Sequence, residues 1–213
     1  MSKLRARNTE DKEARREQIL AEALAMWEEV DYSDFTMGAL AARLGLAKGT
    51  LYLYFPTKEE LFLTVFERLL GEWFDLLEAR LARGQWGAPK LARLFAETLA
   101  ERPELARLFP LLEGILEHNI TLEKARAYKG WLLGRAAPIA ARLEQHLGLG
   151  EARGVRALAY AQALVSGLRQ MSDHSPEVRE ALDQPPLSVL RVEFHPDLEA
   201  ALAALFAGLR EKP

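Results

Sequence analysis

The stretch from Thr36 to Leu61 constrains this chain more than any other, because helix caps and helix breakers follow one another at turn-length spacing. Met37, Leu40, Ala41 and Leu44 stand at i, i+3, i+4 and i+7, which is one apolar face of a short helix. Thr36 precedes them as an N-cap whose hydroxyl can accept an orphan amide hydrogen. Gly45 follows where a helix C-terminus needs a residue free to turn left-handed. A second helix is predicted from about Ala47 to Phe55, anchored by Leu51 and Phe55 one turn apart. Pro56 stops it, since proline offers no amide and disfavours helical geometry in the residue before it. Thr57-Lys58-Glu59-Glu60 then forms a capping box that opens a third helix.

The middle helix carries Lys48, Gly49, Thr50, Tyr52 and Tyr54 on or near its non-core side. Gly49 costs about 1 kcal/mol relative to alanine in a helix, a cost that makes sense where the backbone must approach another surface closely. Lysine can meet phosphates or a guanine edge, a threonine methyl can touch a thymine methyl, and tyrosine hydroxyls can bond phosphate oxygens. No acidic residue occurs from Phe35 to Lys58, while Arg43, Lys48 and Lys58 are basic, a balance that favours phosphate. Charge alone is equally compatible with a plain helical hairpin of uncharged surface.

The run Gly-x-x-Lys-Gly-Thr-Leu-Tyr-x-Tyr-Phe-x-Thr-Lys-Glu-Glu-Leu, from Gly45 to Leu61, lies downstream of Trp27 and Tyr32. Together they resemble the DNA-binding region of the TetR family of bacterial transcriptional regulators. By motif the resemblance covers residues 12 to 65, roughly; beyond that, size and helical pattern agree. It implies an all-α fold, with an N-terminal three-helix domain containing a helix-turn-helix and a larger C-terminal helical domain for effector binding and dimerisation. The expected division is residues 1–57 for the arm and DNA-binding domain and 58–213 for the rest. Carried over residue by residue, Thr36 would contact the phosphate backbone, Lys48, Gly49, Thr50 and Tyr52 would enter the major groove, and Tyr54 and Lys58 would hold phosphates. The implied function is that of a cytoplasmic, dimeric repressor. It would bind a palindromic or near-palindromic double-stranded DNA operator and be released by a small-molecule effector. The rival reading is an all-helical adaptor that keeps the fold without operator binding. Two positions depart from the family pattern. Ala47 replaces the usual polar cap, and Asp31 stands where glycine is usual, with a local left-handed cost expected.

Composition is consistent with this. Of 213 residues, 49% are hydrophobic, ample for one large domain or two smaller ones. The chain has no cysteine, which excludes disulfides and thiol catalysis. It shows no apolar run of membrane-spanning length and no signal-peptide core. The net charge of −3 looks adverse for DNA, so its distribution matters. Lys3, Arg5 and Arg7 form a basic arm that either reaches DNA or simply solubilises the terminus.

Downstream the periodicity stays helical. Lys58 to about Ala82 carries a stripe broad enough to be buried on more than one side, and Gly84 to Pro89 is a linker. The stretch from Thr121 to Leu147 contains Gly134 and Pro138, so a kink or a split is expected there. Helices near 152–172 and 196–210 would form the dimer interface in such a family, although as amphipathic helices they could equally pack within one chain. Between them, Ser175-Pro176-Glu177 suggests a short helix and the alternation of Leu190, Val192 and Phe194 an extended segment.

Candidate effector contacts are Trp73, His118, Tyr128, Trp131, Tyr160 and Gln162, an apolar set with a few polar groups; each is also readable as ordinary core or surface. His118, His146, His174 and His195 show no metal-ligating spacing. With no phosphate-binding glycine loop and no placed serine triad either, catalysis, a cofactor or a metal is not expected.

Overall fold

The computed structural model describes residues 2–210, with the side chains of residues 2–9, 113 and 210 outside the described set. All regular structure among the described residues is helical. The head comprises α1 (Ser2–Glu29), α2 (Met37–Arg43) and α3 (Lys48–Tyr52). Then come α4 (Lys58–Leu81), α5 (Ala88–Ala100), α6 (Pro103–Leu111), a π turn (Leu112–Leu116) and a 3-10 turn (Glu117–Asn119). The chain continues with α7 (Leu122–Leu147), α8 (Arg153–Ser172), α9 (Pro176–Leu182), a second 3-10 turn (Leu187–Leu190) and α10 (Phe194–Arg210). Lys3, Arg5 and Arg7, expected as an arm, fall within the backbone of α1, and their side chains lie outside the described residues.

The caps act as their residue types require. The Thr36 hydroxyl accepts from the Ala39 amide at 3.1 Å, and the Thr57 hydroxyl accepts from the Glu60 amide at 3.0 Å. Gly45 takes φ +64°, and the Gly45 and Leu46 amides bond back to the Ala42 and Ala41 carbonyls, the paired bonds of a glycine C-cap. Ala47 starts α3 with no side-chain cap.

α4 serves both halves of the molecule. Near its start Phe62 makes T-shaped contacts with the rings of Trp27, Tyr32 and Phe35 at centroid distances of 5.2, 4.9 and 4.7 Å. Further along, Trp73 meets Phe95 edge-on at 5.7 Å and donates its indole N–H to the Thr98 hydroxyl at 2.9 Å. Thr98 passes its own hydrogen to the Leu94 carbonyl, so the polar groups of this buried junction are satisfied. α10 packs on α5 and α8, and α8 on α6 and α7.

Several local expectations are corrected. Asp31 is not left-handed, since Ala152 is the only described non-glycine residue with positive φ. The Asp31 carbonyl instead accepts from the Asp34 and Phe35 amides in an ordinary turn. α7 runs unbroken through Pro138. A proline ring presses on the carbonyl four residues back; that residue is Gly134, exposed like Pro138 itself, so water can satisfy the freed carbonyl. The expected extended segment around Leu190 to Phe194 is cut short at both ends, by the 3-10 turn that closes at Leu190 and by the start of the last helix, with Arg191 between them in extended geometry. α10 begins at Phe194 instead, with the Asp197 carboxylate accepting from the Glu193 amide at 2.8 Å. The short helix after Ser175 does form, capped by the Ser175 hydroxyl.

At the α7–α8 crossing, a Cβ on Gly154 would overlap the Ala140 backbone carbonyl. In an open helix a glycine-to-alanine change gains about 1 kcal/mol. Here overpacking of ~1–3 kcal/mol opposes it and prevails because the obstacle is backbone. Gly154→Ala should therefore lower the midpoint of thermal unfolding measured by circular dichroism, whereas Gly130→Ala, with open space around it, should not.

Candidate nucleic-acid interface and effector cavity

α3 is held from behind. Leu51 and Phe55 are buried, and their neighbours Lys48, Gly49, Tyr52 and Leu53 face outward, Tyr52 at 38% and Leu53 at 79% exposure. The Lys48 ammonium lies 5.9 Å from the centre of the Tyr52 ring, so the two form one cationic, aromatic tip. Thr50 and Tyr54 are half-buried, and the Tyr54 carbonyl accepts from Arg16, whose guanidinium lies over Phe55 at 4.4 Å. No atom lies within 4 Å of where a Gly49 Cβ would sit. Packing within the chain therefore does not require glycine at this position. Leu53, which sequence reasoning passed over, stands out because the helix ends in an exposed turn; nothing in its residue type signals this.

Two of the three expected cations are engaged within the fold. Arg43 pairs with Glu22 at 2.8 Å and Glu29 at 2.7 Å, and its hydrogen bonds with Glu29 hold that carboxyl below its ordinary pKa. The Lys58 ammonium donates to the Tyr32 carbonyl and lies 3.7 Å from the Tyr32 ring centre. Burial lowers the pKa of Lys58 against the pull of Glu59 and Asp34. Burial, with the Glu59 carboxylate 3.2 Å away, raises that of Tyr32 well above the usual phenol range. Lys58 thus braces the turn between α1 and α2, with its ammonium held against Tyr32. Lys48 is left as the outward cation of the three.

In the body, a cavity of about 190 Å³ lies between α4, α5, α6, α7, α8 and α10. Trp73, Phe74, Phe95 and Phe109 form its aromatic wall, and Lys129 and Gln162 are its polar members. Of the expected effector contacts, Trp73 and Gln162 line this space and the other four do not. Tyr128 and Trp131 stack on each other at 6.2 Å on a different face of α7 from Lys129, Leu132, Leu133 and Ala136. Tyr128 is fully buried, and Trp131 borders a separate shallow groove with Arg16 and Arg68. Tyr160 lies on the outer face of α8, about two hundred degrees around from Gln162 at 3.6 residues per turn. His118 is exposed in the first 3-10 turn.

Comparison with known proteins gives the same picture. The family described as bacterial regulatory proteins, tetR family, matches residues 19–65, and the tetracyclin repressor-like C-terminal domain matches residues 67–213. The chain belongs to the TetR family of bacterial transcriptional regulators. It is 30% identical to the HTH-type transcriptional regulator RutR of Escherichia coli K12 over 140 residues, 59% of this chain and 66% of that protein. It is 27% identical to the fatty acid metabolism regulator protein of Bacillus subtilis over 105 residues, 49% of this chain and 48% of that one. The chain thus spans about half the length of the second relative and just under two thirds of the first. A solved structure assigned to the tetR family from Shewanella sp. PV-4 has a TM-score of 0.54 at 17% identity, covering 91% of this chain and 96% of that one. Another from Mesorhizobium loti has a TM-score of 0.54 at 19% identity, covering 93% and 96%. These two share the fold.

In this TetR-family chain α6 links cavity and head. Arg107 donates to the Trp27 carbonyl at 3.0 Å, the Val30 carbonyl at 3.1 Å and the Asp31 carboxylate at 2.8 Å. Its guanidinium lies 4.1 Å from the Trp27 ring centre, while the Trp27 indole donates to the Glu104 carbonyl at 3.0 Å. Two residues along α6, Phe109 lines the cavity. Asp31, which departs from the family pattern, is therefore an anchor for α6.

The open space at Gly49 separates folding from recognition. Gly49→Ala should leave thermal stability unchanged or raised, by up to about 1 kcal/mol. It should weaken binding to specific DNA at least several-fold in fluorescence anisotropy. A stability loss would assign Gly49 a packing role instead.

Proposed function

We propose that this chain is a homodimeric repressor of a palindromic or near-palindromic operator, released when a small apolar effector enters the cavity between α4 and α8. The observation that carries the reading is α3, pinned by Leu51 and Phe55 with Lys48, Gly49 and Tyr52 left outward. Lys48, Gly49, Thr50 and Tyr52 would enter the major groove, and Thr36 and Tyr54 would meet phosphates. Thr36 keeps a hydroxyl hydrogen to donate after accepting from Ala39. Lys58 would act through the turn it braces. The working division remains 1–57 and 58–213, with α4 shared by both parts.

Dimerisation through α8 and α10 is supported by their outward small residues. Ala163 on α8, and Ala200, Ala204 and Gly208 on α10, are exposed and would allow close helix approach. Two heads on a two-fold axis match two half-sites about 34–36 Å apart. The effector's apolar body is supported by the cavity wall, and an acidic end could exchange for Glu117, which pairs with Lys129 at 2.6 Å. At about 190 Å³ the cavity is below the ~300–1,000 Å³ usual for ligand pockets, so entry of a larger effector would spread α7 from α8 and pull on α6. That shift is limited by the effector's differential affinity for the two arrangements. This function needs no catalysis, and action on DNA would have the protein work in the cytoplasm. No helix among the described residues is long and apolar enough to cross a membrane.

The engagement of Arg43 and Lys58 within the fold favours one rival, a helical adaptor without operator binding. Titration onto DNA upstream of its own gene, at two salt concentrations with unrelated competitor, separates the two. The repressor reading expects competitor-resistant binding that weakens with salt. It expects Lys48→Ala and Tyr52→Ala each to weaken binding about tenfold, within the ~1–3 kcal/mol of a base contact, with the dimer intact. Salt-insensitive or absent binding would support the adaptor.

A further inference from the structure

The largest cavity described is a second one, away from the apolar space. It measures about 370 Å³ and is enclosed by the start of α6, the end of α8, α9 and the approach to α10. Its walls carry Arg169, Arg179, Arg191, His174 and His195, with Glu193 as the acidic member. The charge balance among these groups is uneven. Arg191 pairs with Asp183 at 2.7 Å and lies 3.6 Å from Glu193. Arg169, half-buried, donates among the described residues to the Ser172 hydroxyl at 3.5 Å and lies over the Phe194 ring at 5.8 Å. Arg179, at the rim, donates to the His174 carbonyl at 3.3 Å. Neither Arg169 nor Arg179 meets a carboxylate among the described residues. The His174 Nε2 is buried with no hydrogen-bond partner, a condition native structures rarely leave unexplained.

Guanidinium groups are planar forks that match the oxygens of carboxylate or phosphate. Two of them, without acidic partners, border a polar space together with a buried imidazole nitrogen. The volume falls within the ~300–1,000 Å³ of small-molecule sites. We propose that this cavity binds a small molecule bearing an oxyanion group, whose oxygens take hydrogen bonds from Arg169, Arg179 and His174 Nε2. The pKa of His195 is lowered by burial and then by Arg169. The binding does not depend on the operator reading. Pro103 and Ala106 of α6 border this space while Phe109 of the same helix borders the apolar one, so an occupant here presses on the helix that Arg107 ties to the head.

The test is a titration of the full-length protein with inorganic phosphate and with citrate, followed by nitrogen–proton correlation spectra of the histidine side chains. Potassium chloride at matched ionic strength is the reference. The site predicts saturable shifts at His174 and His195, with His195 moving toward its charged form, while His118 and His146 stay still. The probe that saturates at lower concentration tells phosphate from carboxylate recognition. Arg169→Gln combined with Arg179→Gln should weaken the midpoint at least tenfold, and Arg142→Gln, outside the cavity, should leave it unchanged. The histidine shifts of the unaltered protein decide the matter even if the double variant fails to fold. Three results would overturn the proposal: no saturation with either probe, an equal response to chloride, or an unchanged midpoint in the folded double variant.

Discussion

Phe62 is the contact on which the arrangement of the molecule depends. It sits one turn into α4 and makes three edge-to-face aromatic pairs, with the end of α1, the turn after it and the residue before the α2 cap. Edge-to-face pairs add about 0.5–1.5 kcal/mol each beyond the area they bury, so the cluster fixes where the head sits on α4 as well as holding it there. The same helix then runs on, with Leu70, Trp73 and Phe74 forming one wall of the apolar cavity. Head and cavity are therefore two ends of one helix. Arg107 adds a second tie from α6 onto the carbonyls at the end of α1, where a helix carries partial negative charge.

Charge is used more for building the head than for decorating it. Arg43 ties α2 to α1 through two glutamates, and Lys58 fills the gap beneath Tyr32. An interface with Lys48 as its outward cation leans on shape, with the bare backbone at Gly49, the flat Tyr52 ring and the exposed Leu53. The acidic residues of α1 are partly consumed in the same way, since Glu17, Glu22 and Glu29 all face arginines.

The parts legible in the sequence are those decided within a few residues. Thr36, Gly45 and Thr57 set helix ends through their own side chains or backbone freedom, whereas α3, expected from about Ala47 to Phe55, already ends at Tyr52, four residues before Pro56. The breadth of the apolar stripe on α4 foretold burial on more than one side. What was not legible depended on partners distant in the chain. The role of Asp31 follows from Arg107, 76 positions away. Whether Pro138 breaks α7 depended on Gly134 and Pro138 facing water. Among the effector candidates, a helix rotation of one residue moves Tyr128 and Trp131 off the cavity and puts Lys129 and Leu132 on it, and only the packing of α7 on α4 fixes that rotation. The basic cavity draws its arginines from α8, α9 and the connection beyond, so no local motif announces it.

In the proposed dimer, α4 and α6 hold the two heads as rigid units whose spacing the operator sets. The most direct measurement is the distance between spin labels on a single introduced cysteine, Glu28→Cys, on the exposed face of α1. The chain has no native cysteine, so each subunit carries one label. The account predicts a dipolar signal from paired labels, collapsing to one narrow distance when operator DNA is added. A signal absent at all concentrations, or a distribution that DNA leaves unchanged, would contradict it.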